Sequence, residues 1–394
     1  MYYLVLFVLL SISAFFDVIK VDKMVKLFFV ILSAFLLFST SGLKYETGVD
    51  WYDYNVWLNE IDPINKLTNS NNNILDGLNL GYNIIMSIIK YFNGTMQLVY
   101  FFAALTSACL LVNSLYRYTD FHCIGILLYY TLLFFFLDLS GIRQGIALGI
   151  FFYSIKFIYE KRASKYFFFI LLATLIHWSA FFLILVYFLA NIEFKSWVLG
   201  IFFFIGFFIF ILNFHWLEGV ILAFFPYLEN ELLAAKLVVY TTNSSLAVER
   251  TLGPFTILNI FFCTIIFCVS ILNRNRLGKQ YPYFNIFLNI FMLQIFAFFY
   301  LFEFLDLSER LKFYFLVSNL VLLPYFISLV RSNLSRYLVY GCIVLYALIA
   351  GRAYIFEADF TIAYHPYQNY LFSKFFQTKS SGFIRLREHE RINN

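Results

Sequence analysis

Apolar runs of roughly 17–25 residues recur along this chain between short polar stretches, and each is long enough to cross about 30 Å of hydrocarbon as a helix. Runs such as Ile201-Phe202-Phe203-Phe204 and Phe134-Phe135-Phe136 lack the polar/apolar alternation of a membrane strand, so a β-barrel is disfavoured. The pattern predicts spans near 2–19, 25–41, 96–116, 121–139, 142–159, 166–190, 196–213, 252–272, 282–302, 310–330 and 336–356. The fold class expected is all-α: a polytopic integral membrane protein with about 11–13 transmembrane helices and extracytoplasmic loops or re-entrant helices. With no internal repeat or soluble segment in view, residues 1–394 read as a single membrane domain.

Composition agrees, since a chain 62% hydrophobic and 13% charged cannot bury its apolar surface in a water-soluble fold. The first apolar run follows Met1 with no basic segment ahead of it and no small-residue cleavage site, which predicts a retained helix with an external N-terminus. Lys20, Lys23 and Lys26 mark one cytoplasmic loop, Lys161, Arg162 and Lys165 a second, Arg274, Arg276 and Lys279 a third, and Arg331 and Arg336 a fourth. Parity then requires a further crossing within 214–251, where Gly219–Tyr227 is apolar but short and contains Pro226. Residues 42–95 form an extracytoplasmic loop, with a re-entrant or interfacial helix at 79–92, and 214–251 form a second external region carrying Glu229, Glu231, Lys236 and Tyr240. For the tail, 357–394, the signals conflict: Lys374, Lys379, Arg385, Arg387 and Arg391 favour the cytoplasm, whereas parity places it outside. The net charge of +5, spread over loops, bears on orientation and not on nucleic acid. Cys109, Cys123, Cys263, Cys268 and Cys342 lie in apolar runs without metal-ligand spacing, so neither a disulfide nor a zinc site is expected.

Ionisable residues inside or at the mouths of apolar spans need a partner, a wet cavity or a task. Arg143 and Gln144 open one span at its external end, where positive-inside statistics give no reason for a cation; the competing reading is a snorkelling arginine. His177, in Leu175-Ile176-His177-Trp178-Ser179, sits near the middle of 166–190 and can serve as base, acid or donor to a phosphate oxygen, or simply bond a neighbouring helix. Asp306, Arg310 and Tyr314 recur at four-residue spacing, so an ordinary Asp306–Arg310 pair competes with an exposed cation at a second external mouth. Two arginines facing one cavity would suit a diphosphate. The segment Lys44-Tyr45-Glu46-Thr47-Gly48-Val49-Asp50-Trp51-Tyr52-Asp53-Tyr54 combines aromatics that stack on sugar rings with carboxylates able to deprotonate a hydroxyl, although an interfacial aromatic belt has a similar composition.

Taken together these pieces resemble the EpsG-like branch of the Wzy polysaccharide polymerases. Gly48-Val49-Asp50-Trp51-Tyr52-Asp53-Tyr54 is similar to that family's Gly-x-Asp-x-x-x-Tyr segment, Ile142-Arg143-Gln144-Gly145-Ile146-Ala147 to its Arg-Gln-x-x-Ala helix start, and Ala173-Thr174-Leu175-Ile176-His177-Trp178-Ser179-Ala180 to its Ala-x-x-x-His-x-Ser signature. Arg310 with Tyr314, and Tyr364-His365-Pro366-Tyr367, complete the resemblance. Lys44 stands where many relatives place arginine, and Asn79-Leu80-Gly81-Tyr82 lacks an acid beside its Gly-Tyr.

The resemblance implies glycosyl transfer at the external face of a bacterial cytoplasmic membrane, in the making of O-antigen, capsule or exopolysaccharide. A glycan on undecaprenyl diphosphate moves onto a new lipid-linked repeat unit, beside a flippase and a chain-length regulator of the same pathway. It further implies that Arg143 and Arg310 hold the leaving diphosphate, that Asp50 or His177 is the base, and that Gln144, Tyr54, Tyr314, Lys44 and Tyr367 line the substrate. No cofactor or metal is expected, since the arginines already neutralise phosphate. An O-antigen ligase is the nearest alternative enzyme and a metal-dependent lipid-phosphosugar transferase a further one. A lipid-linked glycan flippase or transporter is the alternative from another class, and a purely structural membrane partner the last.

Overall fold

The computed structural model describes residues 1–66, 79–217, 220, 252–356, 362–377 and 381–393. The crossing proposed within 214–251, with Glu229, Glu231, Lys236 and Tyr240, lies almost wholly outside the described residues.

In chain order the helices are α1 (Tyr2–Phe15), α2 (Lys23–Gly42), α3 (Trp51–Glu60), α4 (Leu80–Tyr91), α5 (Met96–Tyr118) and α6 (His122–Tyr129), which continues through a π turn, Tyr130–Phe134, to Leu137. Next come α7 (Ile142–Tyr159), α8 (Ala163–Ile176), a 3₁₀ segment Trp178–Leu183, α9 (Ile184–Ala190) and α10 (Ser196–Ile211). After the gap follow α11 (Pro254–Leu272), α12 (Arg274–Gln280), α13 (Phe284–Ile295) with a π turn Phe296–Tyr300, α14 (Leu305–Phe315) and α15 (Val317–Tyr325). The last three are α16 (Asn333–Phe356), α17 (Tyr370–Phe376) and α18 (Gly382–Asn393). Among the described residues there is no strand, and the one β-type pairing is an isolated bridge between Lys44 and Asn369.

Every span expected from the apolar pattern coincides with a helix or a pair of helices. By length and composition α2, α5, α11 and α16 can each cross a membrane, and α14 with Val317–Leu329, bent by 46°, makes a further broken span. Shorter apolar helices account for the other runs. Large apolar side chains left exposed follow the helical period, as Phe28, Ile31 and Phe35 do on α2 and Ile201, Phe204, Ile205 and Phe208 on α10. Such stripes need hydrocarbon around them. The chain is therefore an all-α polytopic membrane protein.

Two compact units make up the chain: residues 1–187 with 323–394, and residues 188–322. In the first, α1 packs on α6 and α16, α2 on α5, α5 on α7, and α7 on α8. Tyr118 ties this unit together, its hydroxyl donating to the Phe152 carbonyl at 2.9 Å and accepting from Lys156 N–H at 2.9 Å. In the second, α10 packs on α13 and its π turn, with Tyr300 stacked on Phe202 at 4.8 Å, and Phe203 stacks on Phe267 of α11 at 4.5 Å. Gly206 allows that approach, because a Cβ there would lie 2.3 Å from the Tyr300 ring.

Candidate functional site

The site builds outward from the turn after α2. Gly48 has φ +104, and a Cβ on it would fall 1.8 Å from the Leu139 carbonyl oxygen, so only glycine lets this turn lie against the end of α6. The turn is fastened on both sides. Val49 N–H donates to Ser140 Oγ at 2.9 Å, and Lys44 Nζ donates to the carbonyls of Leu139 (2.7 Å) and Asp138 (3.2 Å) beneath the Tyr100 ring, 4.4 Å away. Burial pushes the Lys44 ammonium down to about 7, with the charges of Asp50 and Asp138 opposing the shift. Lys44, expected to line the substrate, thus spends its donors on holding the turn. Asp50 ends the turn half-buried and immediately precedes α3, and its carboxylate makes no capping bond to that helix.

The turn aims α3 at the start of α7, and there Arg143 meets an aromatic cage. Its guanidinium carbon lies 4.7 Å from the Trp57 ring centre, 5.7 Å from Tyr54 and 5.8 Å from Tyr82, the last contributed by α4. Such stacking suits a planar guanidinium and holds it without neutralising its charge. Among the described residues Arg143 Nε is buried with no hydrogen-bond partner. Burial pushes the Tyr54 phenol up to about 12, so it stays protonated and able to donate. Arg143 and the buried Gln144 occupy the first turn of α7, where the helix dipole adds positive potential to the guanidinium. A guanidinium held this way can attract an anion.

His177 does not lie inside a continuous span as the apolar run predicts. Its extended backbone (φ −147, ψ 115) ends α8, and the chain resumes as a 3₁₀ turn at Trp178. The Asn79 side chain accepts the Trp178 N–H at 3.4 Å, and Gly81 of α4 rests against Leu175 so closely that a Cβ would meet it at 3.0 Å. Helix α4 therefore links the buried His177 break to the Arg143 cage, to which it lends Tyr82. Arg310 belongs to the second unit, where its Nε bonds both Asp306 oxygens at 3.0 Å, the ordinary pair that the four-residue spacing allows. Tyr314, one turn on, is fully buried.

Sequence reading missed Trp57 and Tyr82 as cage walls; of the tail it named Tyr367 but not the backbone pairing with the 43–50 turn or the role of Arg385. Residues 363–370 lie along the turn: Tyr45 N–H donates to the Gln368 carbonyl at 2.9 Å, Tyr370 N–H to Leu43 at 2.7 Å, and Gly48 N–H to Ala363 at 3.0 Å. The Tyr364 hydroxyl shares a 2.6 Å bond with Ser140, while Tyr367 stacks on Tyr2 and donates to the Thr40 carbonyl at 2.9 Å. Arg385, 5% exposed, donates to the Glu46 carbonyl at 2.6 Å and to Pro366 at 3.1 Å. The tail thus shares the face of the 43–50 turn, and Arg385 is consumed by packing.

A protein-family model, that of the EpsG family, matches residues 26–369. The chain belongs to the EpsG family. No curated protein and no solved structure matches it. The stretch shared with the EpsG family contains the whole cage, His177, Arg310 and Tyr367, and membership makes a glycosyltransferase-like polymerase of exopolysaccharide the class of activity. Among the described residues of this EpsG-family chain, no group of three or more His, Cys, Asp or Glu side chains is placed to hold a metal ion.

Proposed function

We propose that this chain is a Wzy-type polysaccharide polymerase, acting at the extracytoplasmic face of a bacterial cytoplasmic membrane on undecaprenyl-diphosphate-linked oligosaccharide. The observation that carries the reading is the Arg143 cage: a stacked guanidinium with an unpartnered buried N–H, at a helix N-terminus, in a membrane protein of the EpsG family. Its chemistry fits a lipid diphosphate. In the transfer, the acceptor hydroxyl attacks the anomeric carbon of the lipid-linked glycan, the carbon–oxygen bond to the diphosphate breaks, and the bonding pair leaves on the phosphate. Arg143, with Gln144 beside it at the start of α7, stabilises that developing charge, the task a metal performs in other transferases. The hydroxyl proton passes to Asp50, whose half-buried carboxylate stands at the head of α3 next to the cage-bearing residues. His177 sits at the helix break and supports the frame.

The test is the length distribution of surface glycan in a deletion strain complemented with wild type, Arg143→Ala, Arg143→Lys, Asp50→Asn, His177→Ala or Arg310→Ala, each checked for insertion. Single repeat units from both Arg143 variants and from Asp50→Asn are expected, since lysine has neither the planar stack nor the fork. Wild-type ladders from these variants would remove the site. Long polymer retained on the lipid carrier would point to a ligase, units trapped in the cytoplasmic leaflet to a flippase, and loss of polymer on chelation to a metal-dependent transferase.

A further inference from the structure

Helix α3 has two working faces, and the Arg143 cage uses only one. Tyr54, Trp57 and Leu58 face the cage and the core beneath it, whereas Trp51, Tyr52, Asn55 and Asn59, at helical spacing on the other side, line a cleft of about 440 Å³. That volume falls within the roughly 300–1,000 Å³ common for small-ligand sites. The opposite wall comes from the tail: Tyr370 of α17 and Phe383 of α18, the Phe383 ring standing edge-on to both Trp51 and Tyr52 at 5.3 Å.

The cleft is aromatic and amide-lined, and among the described residues it offers no available cation. Lys44 reaches it, but its ammonium is bound to the carbonyls of Asp138 and Leu139; Glu46 takes the Gly382 N–H at 3.2 Å. Asn55, Asn59 and Gln97 bring side-chain amides; Asn55 and Gln97 each spend one N–H on a backbone carbonyl, of Trp51 at 2.8 Å and Gly42 at 2.6 Å, and an amide has a second N–H and an acceptor oxygen, the equipment for hydroxyl groups and not for phosphate. Aromatic walls with amides between them match a pyranose, which has apolar ring faces and an equatorial belt of hydroxyls.

We infer that this cleft is a saccharide-binding site: it holds a sugar of the lipid-linked glycan on one side of α3 while the diphosphate is held by Arg143 on the other. The assignment rests on the polymerase reading for its ligand. A helix is about 10–12 Å across with its side chains, so the two sites are separated by the reach of a short oligosaccharide. Tyr370 and Phe383, which form the tail wall, lie beyond residue 369, where the match to the family model ends.

The experiment uses the full-length protein in lipid nanodiscs and, as probe, fragments of one to three repeat units cut from the producing organism's own surface polysaccharide, which carry no lipid and no phosphate. Binding is read by calorimetry and by saturation-transfer NMR. Tyr52 and Phe383 are both exposed, so Tyr52→Ala and Phe383→Ala leave the fold intact. Saturable binding by wild type and by Arg143→Ala, weakened about tenfold or more in Tyr52→Ala and Phe383→Ala, is the expected result. Absence of saturable binding to wild type, or unchanged affinity in both cleft variants, overturns the assignment. Fragment binding is independent of catalysis: a cleft that fails while Arg143→Ala still yields single repeat units leaves the polymerase reading standing. A cleft that binds while Arg143→Ala makes normal polymer sinks the catalytic reading alone.

Discussion

At the scale of single residues, Gly48 and Lys44 show how little freedom the turn 43–50 has. A methyl group at Gly48 meets the Leu139 carbonyl, and φ +104 alone costs a residue with a side chain about 1–3 kcal/mol. Gly48→Ala should therefore lower the amount of folded protein in the membrane and the polymer with it; equal levels of both in variant and wild type would contradict the packing described. Lys44 gives a pH prediction. Its folded value near 7 lies below the ordinary value of 10.5, so between those limits the unfolded chain binds a proton that the folded chain does not. Stability from this residue accordingly rises as pH climbs from about 7 towards 10 and is lowest below 7, each unit of displacement being worth about 1.4 kcal/mol. Measured as melting temperature relative to Lys44→Met, the wild type should gain on the variant across that range; a constant difference would show the ammonium to be unburdened. Lys44 was readable as special only by its place beside Gly48-Val49-Asp50. Its true partners, two carbonyls about ninety-five residues away, carry no sequence mark.

Among the elements, the legible and illegible parts divide by range. Spans such as Met96–Tyr118 and Pro254–Leu272 follow from hydropathy because membrane thickness sets their length. The break at His177 does not, since Leu175-Ile176 before it and Trp178 after it are apolar and no proline or glycine marks the site. What stabilises it is distant: Asn79 receives the N–H that the break exposes. Likewise Arg143 and Tyr54 stood out, while nothing local to Trp57 or Tyr82 marked them as walls of a cage that α3 and α4 assemble around one guanidinium. Helix α4 is thus the element on which the site depends most. Gly81→Val, which crowds Leu175, should cost about 1–3 kcal/mol of local packing and reduce polymer while the protein still inserts. Gly200→Val on α10, where nothing lies within 4 Å, is the control and should leave polymer unchanged. Full polymer from Gly81→Val would show that α4 need not seat on α8.

For the whole molecule, the informative conflict was the tail, where basic residues and span parity disagreed. Positive-inside statistics count charges that meet the cytoplasm, yet the Arg385 guanidinium is spent on the carbonyls of Glu46, Ala363 and Pro366. Backbone bonds from Tyr45 N–H to Gln368 and from Tyr370 N–H to Leu43 fix the tail to the face on which the 43–50 turn lies, so the two must share a side of the membrane. On the proposed orientation that side is external. In a cysteine-free background, single cysteines at Asn93, before α5, and at Ser373, within α17, should both react with a membrane-impermeant maleimide in intact cells. One at Lys161, between α7 and α8, should react only after permeabilisation. The arms separate two claims. Labelling of Asn93→Cys but not Ser373→Cys in intact cells would break the tail from the turn and remove the wall of the saccharide cleft. Labelling of Lys161→Cys alone would keep tail and turn together but carry both to the cytoplasm, where polymerisation of exported repeat units cannot occur.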